Sequence, residues 1–117
     1  MPCHNEEGRI GEVIRSVQII LPGSSVIVID DGSTDSSAEE ARRNGAVVLS
    51  HSCNLGYGGA LETGYLYGLE KNYDYVLQMD SDGQHLPDQL NILLEPLTSG
   101  TADLVIGSRY GGSESYD

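Results

Sequence analysis

The chain has 117 residues, enough for one domain with one hydrophobic core. Six Lys and Arg stand against 18 Asp and Glu, a formal net charge of −12, which argues against DNA or RNA as partner because a phosphate backbone would be repelled. A small anionic ligand remains compatible, provided a divalent cation or a helix N-terminus offsets the repulsion between carboxylates and phosphates.

Only residues 1–3 are available to form a strand ahead of the first helix. From Ile10 the apolar residues Ile10, Val13, Ile14, Val17 and Leu21 recur at helical spacing, and Pro22 with Gly23 closes the segment. Residues 25–30 are a β-branched run that predicts a strand buried on both faces. A second helix follows, with capping-box spacing at Ser36 and Glu39, Arg42 and Arg43 in its last turn, and Gly45 at its end. Residues 46–49 predict a short strand. The Gly-rich turn 54–59 then leads into a helix reaching about Lys71, and residues 75–79 predict another strand. Pro87 suits the first turn of a fourth helix with Leu90, Leu93, Leu94 and Leu97 facing inward, and residues 103–107 supply the last strand. The tail from Gly111 to Asp117 loses apolar periodicity and reads as loop. Strand and helix alternate throughout, so the expected class is α/β with a mainly parallel sheet, as one domain over residues 1–117.

The longest apolar run falls short of the ~18 to 20 residues of a membrane span, and the opening residues lack the pattern of a signal peptide. The chain is therefore expected in the cytoplasm. Cys3 and Cys53 are too few for a disulfide scaffold, and the spacing of Cys3 with His4 and of His51 with Cys53 disfavours zinc.

Ligands of open α/β sheets bind beyond the carboxyl ends of the strands. The residues there are polar in every case: 30–35, 51–54, 80–85 and 108–110. Asp80 and Asp82 place two carboxylates at the mouth of an apolar strand, where their mutual repulsion and desolvation are costly. A hard cation resolves this: Mg²⁺ or Mn²⁺ takes oxygen ligands and completes its shell with water and phosphate, so Asp80, Asp82 and the Gln84 amide oxygen make a suitable protein share. Solvated loop aspartates are the competing reading for an isolated Asp-x-Asp. An EF-hand loop beginning at Asp80 fails, because His85 and Asn91 stand where Gly and Glu are required. A dehalogenase-type phosphatase would need a downstream Lys, and none follows Lys71.

Together the motifs Pro2-x-His4-Asn5-Glu6-Glu7, Val28-Ile-Asp-Asp-Gly-Ser-Thr-Asp35, Asn54-x-Gly56 and Asp80-x-Asp82 resemble those of the family 2 glycosyltransferases with the GT-A, Rossmann-like fold. Within the family, Asp80-Ser-Asp-Gly-Gln-His85, Pro87 and Gly107-Ser-Arg-Tyr110 look most like dolichyl-phosphate mannose synthases and bacterial polyprenyl-phosphate glycosyltransferases. The resemblance implies a nucleoside-diphosphate sugar as donor, GDP-mannose or a UDP-hexose, and a polyprenyl phosphate as acceptor, with inversion at the sugar. It also implies that Pro2, Glu6 and Asp30 contact base and ribose, that Gly56, Asp80 and Ser81 join the donor site, and that Asp80, Asp82 and Gln84 hold the metal. Asp82 and Arg109 are then the catalytic residues, with Arg109 clamping a phosphate of donor or acceptor.

Asp31 and Asp35 have an alternative role as turn or helix caps, Asp35 above all. His4 and His85 are expected to be satisfied by neighbouring backbone, and Tyr57, Tyr65, Tyr67, Tyr73 and Tyr75 to serve as packing in a chain without Phe or Trp. Members of the family carry a full first strand and continue beyond Gly112 into an acceptor region, sometimes with a membrane-associated tail and self-association. The chain is accordingly expected to be part of a longer protein that works at the cytoplasmic face of a membrane; the alternative is a noncatalytic nucleotide- and metal-binding module.

Overall fold

The computed structural model describes residues 1–83 and 89–107. Three parallel strands, β1 (Pro2–Cys3), β2 (Ile27–Asp30) and β3 (Val47–Ser50), lie in that order. Pro2 pairs with Ile29 and Cys3 with Asp30, while Asp30 pairs with Ser50, so the three C-terminal ends form one sheet edge. Four helices flank the sheet: α1 (Ile10–Ile20), α2 (Ser37–Arg43), α3 (Tyr57–Glu70) and α4 (Leu90–Thr98).

The β-branched run of β2 is buried on both faces, as its composition requires. Val28 packs with Ile10, Val13, Ile14 and Val17 of α1 and Ala41 of α2 in the main core. Ile29 points to the other face, where Gly64 lets α3 approach: a Cβ there would stand 3.5 Å from Ile29 Cγ1. α1 is amphipathic at the expected positions, and α3 ends at Glu70 as the sequence anticipates. Of the leucines assigned to the fourth helix, Leu90 is buried and the remaining three are half-buried.

Three expectations are corrected. Residues 75–79 and 103–107 form no ladder among the described residues, although their composition suits strands. A ladder needs a partner of matching length, and β1 offers two residues. Met79 is buried and Leu77 packs on the core, but Val76, Leu104 and Ile106 stay exposed. The second correction concerns α2, where Ser36 makes no side-chain cap. Asp35 caps it instead, accepting from the Ser37 amide at 3.0 Å and from the Ser37 hydroxyl. The third is the tyrosines: Tyr57, Tyr65, Tyr73 and Tyr75 are exposed rather than packed inside.

Candidate functional site

The functional edge begins as an interlock between two motif segments. Asn5, held at φ 53°, accepts from the Thr34 amide at 2.8 Å, and its own amide donates to Ser33 Oγ at 3.0 Å. The Glu6 amide donates to Ser37 Oγ at 2.8 Å, the Glu7 amide to Asp35 Oδ2, and the Ser36 amide to Glu7 Oε2. Glu40 reaches across from α2 and accepts from the amides of Gly8 and Gly11 at 2.7 and 2.9 Å, satisfying orphan donors at the start of α1. Asn5, Glu7 and Asp35 thus act as reciprocal caps, which leaves Pro2, His4 and Glu6 facing the cleft. The hydrogen bonds that Asp35 accepts, above all from Ser37, hold its carboxyl below the usual carboxylate range. His4 Nδ1 donates to the Asp31 carbonyl at 2.9 Å, the backbone partner expected of it.

Asp30, the last residue of β2, and Asp31, the residue just after it, do different work. Asp30 is buried, accepts from the Ser33 amide at 3.1 Å and from Ser50 Oγ at 3.2 Å, and does not line the cleft. Asp31, 4% exposed, does line it and organises the loop opposite. Its Oδ1 accepts from the Leu55 amide and from His51 Nδ1, both at 2.8 Å, and its Oδ2 accepts from the Gly56 amide at 2.9 Å. Burial alone would raise the Asp31 pKa, but the bonds from His51, Leu55 and Gly56 outweigh it and hold the carboxyl below its ordinary value. His51 Nε2 lies 2.8 Å from Thr63 Oγ1, so His51 ties the end of β3 to α3. Gly32, at φ +71°, brings the two loops together: a Cβ would sit 2.7 Å from the Asn54 amide nitrogen.

Between these loops and residues 80–82 lies an open cleft of about 420 Å³. Pro2, Glu6, Gly56, Asp80, Ser81 and Asp82 all border it. Gln84 and Arg109 lie outside the described residues, as do His85 and Pro87. Ser81 is buried, and the Cys3 thiol pKa is raised chiefly by burial. Gly56, at φ +89°, is the N-cap of α3, and no acidic residue stands in that helix's first turn, so the positive end of its dipole opens on the cleft. Gly58 is open, with nothing within 4 Å of where a Cβ would be.

Tyr57, the first residue of α3, donates its hydroxyl to Asp80 Oδ1 at 2.9 Å. Burial, then the hydrogen bond to Asp80 and its charge, raise the Tyr57 pKa. Among the described residues no group of three or more His, Cys, Asp or Glu converges as a metal cage. Asp80 and Asp82 offer two carboxylates, oxygen donors both, on a cleft they share with Glu6 and Asp31; this pair fits Mg²⁺ or Mn²⁺ completing its shell from phosphate and water, and does not fit a closed zinc site. Composition and spacing did not single out Asp31 as a clamp, His51 as its partner, or Tyr57 as a neighbour of Asp80. Each depends on contacts 12 or more residues apart.

The model of a family described as "Glycosyl transferase family 2" matches residues 1–117. The undecaprenyl-phosphate mannosyltransferase of Micrococcus luteus is 40% identical over 114 residues, covering 93% of this chain and 46% of that protein. The polyprenol monophosphomannose synthase of Mycolicibacterium smegmatis is 34% identical over 116 residues, covering 94% of the chain and 43% of that protein. Among solved structures, glucosyl-3-phosphoglycerate synthase from Mycobacterium tuberculosis, in complex with Mn²⁺, UDP-glucose and phosphoglyceric acid, superposes with a TM-score of 0.69. Identity is 32%, over 85% of this chain and 38% of that one. The chain thus spans less than half the length of each of these proteins.

Proposed function

The chain belongs to glycosyl transferase family 2, and from that premise we propose that its cleft binds a nucleoside-diphosphate sugar with Mg²⁺ or Mn²⁺, for transfer of the sugar to a polyprenyl phosphate. The observation that carries this reading is that Asp80 and Asp82 border the same cleft as the N-terminal end of α3. A diphosphate placed there meets the N-terminal end of α3 on one side and Asp80 and Asp82 on the other, in a cleft that Glu6 and Asp31 also line, and these carboxylates repel it unless a cation intervenes. Asp80 and Asp82, with Gln84, would hold that cation, and when bound it would neutralise charge on the departing diphosphate. Mn²⁺ accompanies UDP-glucose in the structure of the mycobacterial synthase, which supports the same share of labour here.

Pro2 and Glu6 border the cleft, which supports their assignment to base and ribose; Asp31 borders it too and Asp30 does not, so Asp31 would take the base contact expected of Asp30. The acceptor phosphate is ionised near neutral pH, so its oxygen can attack the anomeric carbon without a strong general base. One bond forms between that oxygen and the anomeric carbon as the bond to the diphosphate breaks. The nucleoside diphosphate leaves with the electron pair, and the configuration inverts. Arg109 would clamp a phosphate of donor or acceptor. The lipid acceptor is supported by the names of the Micrococcus and Mycolicibacterium relatives. This reading puts the protein at the cytoplasmic face of a membrane, where a soluble donor meets a lipid-anchored phosphate; among the described residues no helix is long and apolar enough to cross it.

The test is calorimetric titration with GDP and with UDP, each with and without Mn²⁺, on the protein and on Asp82→Ala. Binding that requires Mn²⁺ and is lost in Asp82→Ala is the expected result, and the preferred nucleotide identifies the base. A folded protein that binds neither nucleotide with Mn²⁺ overturns the donor site.

A further inference from the structure

We infer that Tyr57 is a positioning residue for the cation site, its hydroxyl fixing the orientation of the Asp80 carboxylate through a hydrogen-bond chain that runs in one direction from Tyr65. The inference rests on the reading of Asp80 as a cation ligand. Tyr65 Oη is bonded to Gln78 Oε1. An amide oxygen only accepts, so Tyr65 donates. Gln78 Nε2 lies 3.0 Å from Tyr57 Oη and only donates. Tyr57 accepts there and spends its single proton on Asp80 Oδ1 at 2.9 Å.

Each end of the Gln78 amide has one possible role, and with the amide set this way the two hydroxyls take the roles given. Turning the Gln78 amide over would set its oxygen against Tyr57 Oη. That oxygen would then compete for the Tyr57 proton, and losing it would leave two oxygens facing each other 2.9 Å apart at Asp80. The four side chains therefore lock one another. Gln78 and Asp80 are two residues apart, Tyr57 and Tyr65 belong to α3, and the chain bridges that helix to the carboxylate.

A carboxylate that binds a cation must present a given oxygen at a given angle, and a neighbouring donor that holds it there removes the need to order it on binding. Tyr57 is half exposed in the open cleft, where water competes for its hydroxyl. The same bond strengthens when a ligand fills the cleft and excludes that water.

The experiment is Mn²⁺ titration of the purified protein, of Tyr57→Phe and of Tyr65→Phe, followed by calorimetry with the nucleotide that the protein binds, with and without metal. Tyr57→Phe keeps the ring and removes the donor. It is expected to weaken Mn²⁺ binding about 10- to 100-fold, with thermal midpoint and metal-free nucleotide affinity unchanged. Tyr65→Phe leaves the bond to Asp80 in place and is expected to weaken Mn²⁺ binding less than about 3-fold, since it only loosens the far end. If the parent binds Mn²⁺ and Tyr57→Phe binds it equally well, Tyr57 does not position Asp80. Equal losses in the two variants, or a parallel loss of metal-free nucleotide affinity or of thermal midpoint, would assign the effect to packing of α3 and overturn the inference. A parent that binds no Mn²⁺ refutes the cation site itself, and the inference with it.

Discussion

Replacing Asp31 with alanine removes the acceptor for three donors at once: the Leu55 amide, the Gly56 amide and His51 Nδ1. A hydrogen bond to a charged group contributes about 1.5 to 3 kcal/mol net, which gives a gross loss of about 4.5 to 9 kcal/mol. Two features reduce it. The Gly56 amide keeps Asn54 Oδ1 at 2.9 Å as an acceptor, and the loop lies beside an open cleft from which water can enter. A loss of about 3 kcal/mol is therefore expected for Asp31→Ala, a large share of the roughly 5 to 15 kcal/mol that domains possess. Asp31→Asn keeps one oxygen for two of the donors and should lose about half as much. Urea denaturation followed by circular dichroism reads the difference as a lower midpoint at unchanged slope. The clamp reasoning fails if Asp31→Ala costs less than about 1 kcal/mol, because the loop would then be held by something other than this carboxylate.

The same carboxylate makes stability depend on pH. Asp31 and Asp35 both have folded pKa values below the ordinary 3.8, so their stabilisation is complete above that value and is lost as pH falls through the depressed folded values. Urea midpoints should hold from neutral pH to about 4 and fall below it, and the fall should be shallower in Asp31→Asn; equal slopes would exclude Asp31 as a contributor. Gly32→Ala combines φ +71° with a Cβ 2.7 Å from the Asn54 nitrogen and 2.8 Å from the Cys53 carbonyl carbon, both backbone atoms. It is expected to lower stability by about 2 kcal/mol or more and to weaken nucleotide binding together with it, which thermal melts and calorimetry would check.

Local pattern was enough for the parts of this protein whose physics is local. The β-branched run at 25–30, the helical spacing from Ile10, and the turn at Gly56 leading into α3 depend on neighbours in sequence, and each formed where expected. The polar residues after each strand were legible for the same reason, because a parallel α/β sheet gathers strand ends at one edge. Residues 75–79 show the limit. Their composition suits a strand, but a strand exists only with a partner, and β1 supplies two residues of ladder.

Side-chain roles at the edge were legible as a cluster and not individually. Asp30 and Asp31 are adjacent and chemically alike, yet the pleat sends one toward Ser50 and the other toward the loop at Leu55 and Gly56. Ser36 has capping-box spacing, but Asp35 caps α2 because the interlock with Glu7 holds it there. Tyr57 reads as packing until α3 sets it beside Asp80, 23 residues away. Sequence by itself determined the family, the four helices and the first three strands in order, and the set of polar groups at one edge, because these follow from local periodicity and motif. Tertiary structure decided which aspartate faces the cleft, which one caps a helix and which tyrosine meets the carboxylate, because those roles depend on distances between segments far apart in the chain.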